Sequence, residues 1–223
     1  MCGRYSITVP TTQLAERFDA APPSELPGPR YNAAPTQTLP VLLNTGERQI
    51  QLLRWGLIPR WAKDATTGYK MINARSESLT EKPAYRDSFK RRRCLVLADS
   101  FYEWQKTGDG KIPMRIMLKS GEPFAFAGLW ETWKDPQDPE GELLRTFTII
   151  TGKPNDVVAP IHDRMPMILL PEDEKVWLDN EADTETWSKL LKPYPADLMR
   201  AYPISRRINA TTNDDPSLIV PAA

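Results

Sequence analysis

Proline sets the first limit on what this chain can fold into. The sequence holds 22 prolines against 11 glycines. Proline fixes φ, removes a backbone donor and breaks helix interiors, so the balance favours extended segments and turns. The apolar pattern agrees. Ile112, Met114, Ile116 and Leu118 alternate strictly, which predicts a half-buried strand. Residues 39–43 and 49–55 flank a turn at Asn44-Thr45-Gly46 and predict a β-hairpin. Apolar runs at 94–98, 124–133 and 143–151 predict further strands, with short ones at 6–9 and 167–170 and a last β-like stretch at 218–220. Helices are expected in four places: behind a Thr cap at Thr11-Thr12, over 155–161, from Pro171, and over 183–191. Val176, Trp177 and Leu178 are expected on the buried side of the third. Residues 20–30 and 62–70 read as loops. The expected fold class is α+β: one domain over residues 1–223, with a β-rich antiparallel core and a few peripheral helices.

Bulk properties exclude several function classes. Lys+Arg and Asp+Glu both number 29, so no global charge draws the chain to polyanions. Two cysteines, Cys2 and Cys94, do not make a disulfide scaffold. One histidine cannot complete a usual four-ligand His/Cys zinc site. No signal-peptide core or bilayer-length apolar run occurs. Glycine-rich phosphate loops and the GxSxG elbow are missing. A cytoplasmic, soluble protein without metal or cofactor is expected.

The first residues carry the most chemistry. Removal of Met1, plausible because Cys2 and Gly3 are small, leaves a cysteine whose thiol and free α-amine share one skeleton. Ordinary values near 8 for the amine and 8.5 for the thiol leave some of each unprotonated near neutrality. The amine can form a Schiff base with an aldehyde. The thiol can then close a five-membered thiazolidine. The plain alternative is a loose terminus.

Four further features invite the same double reading. Glu103 lies in Phe101-Tyr102-Glu103-Trp104. Aromatic walls would raise its pKa and make it a proton shuttle, or it faces solvent. His162 is either an acid–base group or one half of a solvated cluster with Asp163 and Arg164. Asn73 and Arg75 share a face if they lie on a strand, where Arg suits phosphate, or they are turn and surface residues. The basic run Lys82, Arg86, Lys90, Arg91, Arg92 and Arg93, interrupted by Asp87, is a solvated face or a phosphate groove. Trp55 and Trp61 upstream would then be stacking platforms for single strands.

Seven blocks in order resemble the SOS-response-associated peptidase (SRAP) family. They are Met-Cys-Gly-Arg-Tyr at 1–5, Tyr-Asn-Ala-Ala-Pro at 31–35, Arg-Trp-Gly-Leu-Ile-Pro at 54–59, Ile-Asn-Ala-Arg-Ser-Glu at 72–77, Arg-Arg-Arg-Cys-Leu-Val at 91–96, Phe-Tyr-Glu-Trp at 101–104 and His-Asp-Arg-Met-Pro at 162–166. The resemblance implies a SRAP domain with an open barrel-like body that meets abasic sites in single-stranded DNA, junctions with duplex included, as a monomer. It implies Cys2 as the nucleophile of a thiazolidine crosslink, Asn73 as the group orienting the opened sugar, and Glu103 and His162 as proton carriers. Weak strand cleavage and crosslink reversal would accompany it. Arg4, Asn32, Arg75 and Arg164 would line the DNA site, Trp61 would stack and Arg86 would meet phosphate. Ser100 departs from the small residue the family pattern implies before Phe101, and is expected to alter a local turn only. Two other functions fit the same residues: a cysteine peptidase using Cys2, His162 and Asn73, and a non-covalent single-strand binder.

Overall fold

The computed structural model describes residues 2–25, 27–138 and 140–222. In chain order the first half runs β1 (Tyr5–Ile7), α1 (Thr11–Arg17), β2 (Arg30–Ala33), β3 (Thr38–Leu43), β4 (Ile50–Trp55), β5 (Asn73–Arg75), α2 (Pro83–Arg91), β6 (Arg93–Ala98) and β7 (Ser100–Thr107). The second half runs β8 (Gly110–Leu118), β9 (Phe124–Trp133), β10 (Leu144–Gly152), β11 (Met165–Pro166), α3 (Pro171–Leu178), α4 (Thr184–Leu190) and β12 (Met199–Pro203).

Two sheets result. One is open and antiparallel, in the order β12-β8-β7-β1-β2. The other closes on itself, because β10, β4, β3, β6 and β9 follow in order and β9 pairs again with β10. Its pairs are antiparallel except β10 with β4 and β10 with β5. These two parallel pairs depart from the all-antiparallel expectation. The first arises because the long connection through residues 56–143 returns β10 to the free edge of a hairpin strand.

Strand β10 exchanges neighbours along its length. Ile149 pairs with both Gly128 of β9 and Asn73 of β5, so those two strands lie on opposite edges. Thr151 pairs with Arg75 of β5 and Pro166 of β11. The end of β10 is therefore bracketed by the two segments that carry Asn73 and His162. The sheets face each other through aromatic rings. Tyr5 meets Trp55 and Phe126 edge-on, with centroids 5.1 and 5.8 Å apart, and Phe101 meets Phe126 at 6.0 Å. Such contacts add to the burial of large apolar area.

Several elements differ from expectation. Pro10 flanks α1 and no side chain caps it; Thr11 donates instead to the Pro27 carbonyl at 3.1 Å. Residues 155–161 form turns around Asn155 rather than a helix, since the Asn155 side chain accepts from the Val157 and Val158 N–H groups and offers the backbone an alternative to helical bonding. Residues 216–219 form a 3-10 turn begun by Asp215, not a strand. On α3 the buried partner of Trp177 is Glu174, held by Arg17 at 3.1 and 2.8 Å. The alternation at 112–118 does mark β8, yet its polar phase is buried too. Arg115 donates to the Ser100 and Tyr202 hydroxyls, each at 2.8 Å, and lies 3.8 Å from Asp99. Ser100 thus opens β7 inside a buried polar network and shapes no turn.

Candidate active site

Cys2 enters just ahead of β1, and β1 is fixed in place by its neighbours. Asp99 accepts from the Ser6 hydroxyl at 2.5 Å and from the Thr8 hydroxyl at 2.7 Å. The Tyr102 N–H donates to the Arg4 carbonyl at 3.0 Å. Cys2 is fully buried, with its Sγ 3.7 Å from the Arg4 carbonyl oxygen. Burial pushes the thiol well above its ordinary pKa, and the Glu103 carboxylate pushes it further. The resting sulfur is therefore a thiol, and it must lose its proton as it attacks. Met1 lies outside the described residues, so its expected removal does too.

Glu103 stands on β7, the strand beside β1. It is buried, and burial raises its carboxyl above the usual range against the opposing pull of His162. A protonated fraction is then available nearer neutrality. His162 Nε2 lies 4.0 Å from Glu103 Oε2. The Arg164 backbone N–H donates to His162 Nδ1 at 3.0 Å, which leaves the proton of a neutral ring on Nε2, facing Glu103. Asp163 Oδ1 also approaches Nδ1 at 2.9 Å. One in-plane lone pair cannot serve a donor and face a carboxylate together. The backbone N–H is fixed, whereas the Asp163 side chain is 89% exposed, so the backbone bond sets the tautomer.

Asn73 opens β5. Its Nδ2 donates to the Cys2 carbonyl at 2.8 Å, while its Oδ1 is buried without a hydrogen-bond partner. The Tyr85 hydroxyl, from α2, donates to the Asn73 carbonyl at 3.2 Å. Arg164 forks onto Glu77 at 3.0 and 2.9 Å and reaches Thr151 Oγ1 at 3.4 Å. This fork holds the Glu77 carboxyl below its usual range. Cys2 and Glu103 thus come from the open sheet, and Asn73 and His162 from the closed one.

The remaining candidates fall into two groups. Arg4 and Asn32 are engaged inside the fold. Arg4 Nη1 donates to Asn32 Oδ1 at 2.8 Å and to the Ile208 carbonyl at 2.9 Å. Asn32 Nδ2 donates to the Ala210 and Asn213 carbonyls at 3.0 and 2.8 Å. Together they tie β1 and β2 to the C-terminal segment. Arg75, Arg86 and Trp61 are exposed, Arg86 beside Asp87 at 3.7 Å and Trp61 at 66%.

Two expectations for the basic run are corrected. Trp55 is buried with its Nε1 donating to the Ile72 carbonyl at 2.9 Å, so it is no stacking platform. Arg93 is buried as well. It donates to the carbonyls of Trp177, Phe89, Lys90 and Asp179 and stacks 3.4 Å over Trp187. Burial lowers its pKa to about 10, which keeps it charged at neutral pH. Sequence reasoning missed Tyr85 and Glu77. Glu77 could have been found as the acid closing the 72–77 block; Tyr85 carries no signal in the sequence.

Residues 1–211 match the family described as SOS response associated peptidase (SRAP). This chain belongs to the SRAP family. The SRAP relatives include the abasic site processing protein YoqW of Bacillus subtilis (strain 168), 48% identical over 98% of this chain and 99% of that protein. They also include the abasic site processing protein HMCES of Gallus gallus, 35% identical over 86% of this chain and 66% of that protein. A crystal structure of a Bacteroides thetaiotaomicron protein superposes with a TM-score of 0.90 at 28% identity, covering all of both chains. The expected α+β class and barrel-like body agree with this fold. No helix among the described residues is long and apolar enough to cross a membrane.

Proposed function

We propose that this SRAP protein processes abasic sites in single-stranded DNA by capturing them covalently on Cys2. The observation that carries the reading is the enclosed Cys2, its carbonyl held by Asn73 and its sulfur within electrostatic reach of Glu103, which His162 Nε2 approaches at 4.0 Å. An abasic sugar in its open form is an aldehyde. The α-amine of a chain starting at Cys2 adds to it and water leaves, giving an imine. Glu103, raised toward neutrality, supplies the proton that the departing oxygen needs. Sγ then bonds to the imine carbon, and the thiol proton ends on the imine nitrogen. The product is a thiazolidine, a secondary amine with no iminium left to drive β-elimination. Strand cleavage is the leak that occurs when ring closure lags.

Asn73 Oδ1 is the free acceptor for a sugar hydroxyl, and His162 Nε2 carries a proton for the return reaction. Arg75, Arg86, Arg164 and Trp61 meet the strand, while Arg4 and Asn32 support the floor beneath Cys2. The protein acts as a monomer, in the cytoplasm and at the nucleoid if the host is bacterial.

One denaturing gel tests this. Single-stranded DNA with one abasic site should give a covalent adduct with the native protein and none with Cys2→Ala. A non-covalent binder gives no adduct with either protein. The family description keeps a peptidase reading in view. That reading requires peptide cleavage that survives blocking of the mature α-amine, whereas blocking abolishes thiazolidine formation.

A further inference from the structure

A single guanidinium joins β10, the turn after β5 and the loop that carries His162. Arg164 donates from Nη1 and Nη2 to the two oxygens of Glu77 at 3.0 and 2.9 Å. Its Nη2 also donates to the Thr151 carbonyl at 2.5 Å, and its Nε to Thr151 Oγ1 at 3.4 Å. Four of its five N–H groups are thereby committed, and one on Nη1 remains for the strand. Thr151 is buried on β10, and Glu77 lies in the 3-10 turn directly after β5. The fork is the strong, planar kind that a lysine cannot make. The backbone N–H of the same Arg164 holds His162 Nδ1. Asp163, between the two, has its side chain almost wholly in solvent, with Oδ1 2.9 Å from that same Nδ1. Two groups therefore compete for one nitrogen. The Arg164 N–H needs a lone pair there, and the Asp163 carboxylate needs a proton there.

We infer that Glu77 is a positioning residue for His162: by clamping Arg164 it keeps the Arg164 N–H on Nδ1, denies that nitrogen to Asp163, and so holds the ring proton on Nε2, toward Glu103. The inference rests on the reading above for its effect on the reaction, not for its effect on the ring. In a neutral imidazole the hydrogen bond at one nitrogen decides whether the other carries the proton. Glu77 stays ionised well into acid, because the fork holds its carboxyl below the usual range, so the clamp persists wherever the reaction runs. Loss of the clamp has a defined consequence. Arg164 keeps only its Thr151 contacts, the 162–164 loop relaxes, and a proton on Nδ1 pairs with Asp163. Nε2 then faces Glu103 as a bare acceptor and cannot deliver the proton assigned to it in crosslink reversal. No covalent bond to carbon or sulfur changes in this role; one proton moves between ring nitrogens through solvent.

His162 is the only histidine of the chain, so nitrogen-15 labelling of histidine gives the spectrum of one imidazole. The full chain is measured without a histidine tag and without DNA, at a pH well above the ordinary imidazole value of about 6.5. The native protein should show the proton on Nε2. Glu77→Gln, which keeps the size but not the fork, should move a large share of it to Nδ1. Arg164→Lys, which loses the fork from the other end, should shift the ring the same way. Adding Asp163→Ala to Glu77→Gln should return the proton to Nε2, because the competitor is gone. A timed gel on preformed crosslink reads the consequence. Glu77→Gln should slow reversal about tenfold, part of what a positioned proton carrier contributes, and the double variant should recover the native rate. General loosening of the fold would not be repaired by deleting an exposed carboxylate. A native ring protonated on Nδ1, the same tautomer in native and Glu77→Gln proteins, or reversal that stays slow in the double variant overturns the positioning role. The expected tautomer shift with no crosslink to any abasic oligonucleotide supports the clamp and overturns the capture chemistry instead.

Discussion

Glu103 is held at a cost to the fold. Its carboxyl titrates above the ordinary glutamate value of 4.5 because burial disfavours the charge. A folded-state value above the unfolded one means that folding takes up a proton in between. The stability this group contributes is full below pH 4.5 and is lost as pH rises through the raised value. Glu103→Gln removes that loss. The variant should melt higher than the parent at pH 7, with the gap closing below pH 4.5, while crosslinking at pH 7 slows at least tenfold. A thermal melt across pH and a timed gel check the two halves. Tyr5 offers a simpler case: its hydroxyl is buried with no hydrogen-bond partner. Tyr5→Phe deletes only that oxygen and should stabilise the protein by about 1 kcal/mol in urea titration. Side-chain types at this scale were readable from sequence, since Cys2, Asn73, Glu103 and His162 each suggest their chemistry. The engagement of Arg4, Asn32 and Arg93 was not. Most of their partners are backbone carbonyls, as far as Ile208 and Asp179, and a carbonyl has no residue signature.

Among the elements, the segment between β4 and β5 decides where Asn73 sits. Gly56 has φ +119°, and a Cβ there would lie 2.6 Å from the Gly68 carbonyl oxygen. Gly56 and Gly68 press backbone to backbone, and the Leu57 N–H donates to the Met71 carbonyl at 3.1 Å. Gly56→Ala should cost about 3 kcal/mol and slow crosslinking by moving β5; hydrogen exchange over 65–75 locates the damage. The hairpin of β3 and β4 and the strands β6, β9 and β10 were legible because their apolar runs are long and bounded by turn residues. β2 and β12 escaped notice because Arg30, Asn32, Arg200 and Tyr202 break any period. Strand β8 was found but misjudged. Alternation reports one dry face, and nothing in it warns that Arg115 will be buried on the other.

For the whole molecule, the C-terminal segment acts as a brace under the open sheet. Asp214 accepts from the Tyr31 and Asn32 N–H groups at 2.6 and 3.0 Å, and the Asn32 side chain grips the segment from the other side. Asn32→Ala leaves the carbonyls of Ile208, Ala210 and Asn213 without this donor. It should cost about 2–3 kcal/mol and expose residues 206–219 to limited proteolysis. The strand-rich class could be read in advance, but not the division of labour between sheets, which depends on long-range pairing.

That division has a mechanical corollary. The nucleophile rides on one slab and its amide anchor on another, and the joint between them is a zip of rings at Tyr5, Trp55, Phe101 and Phe126. Slippage of a fraction of an ångström along the joint would misalign sulfur and sugar while every hydrogen-bonded ladder stayed whole. Mild heat or pressure should therefore silence crosslinking while far-ultraviolet circular dichroism still reports an intact protein, and cooling should restore it without refolding.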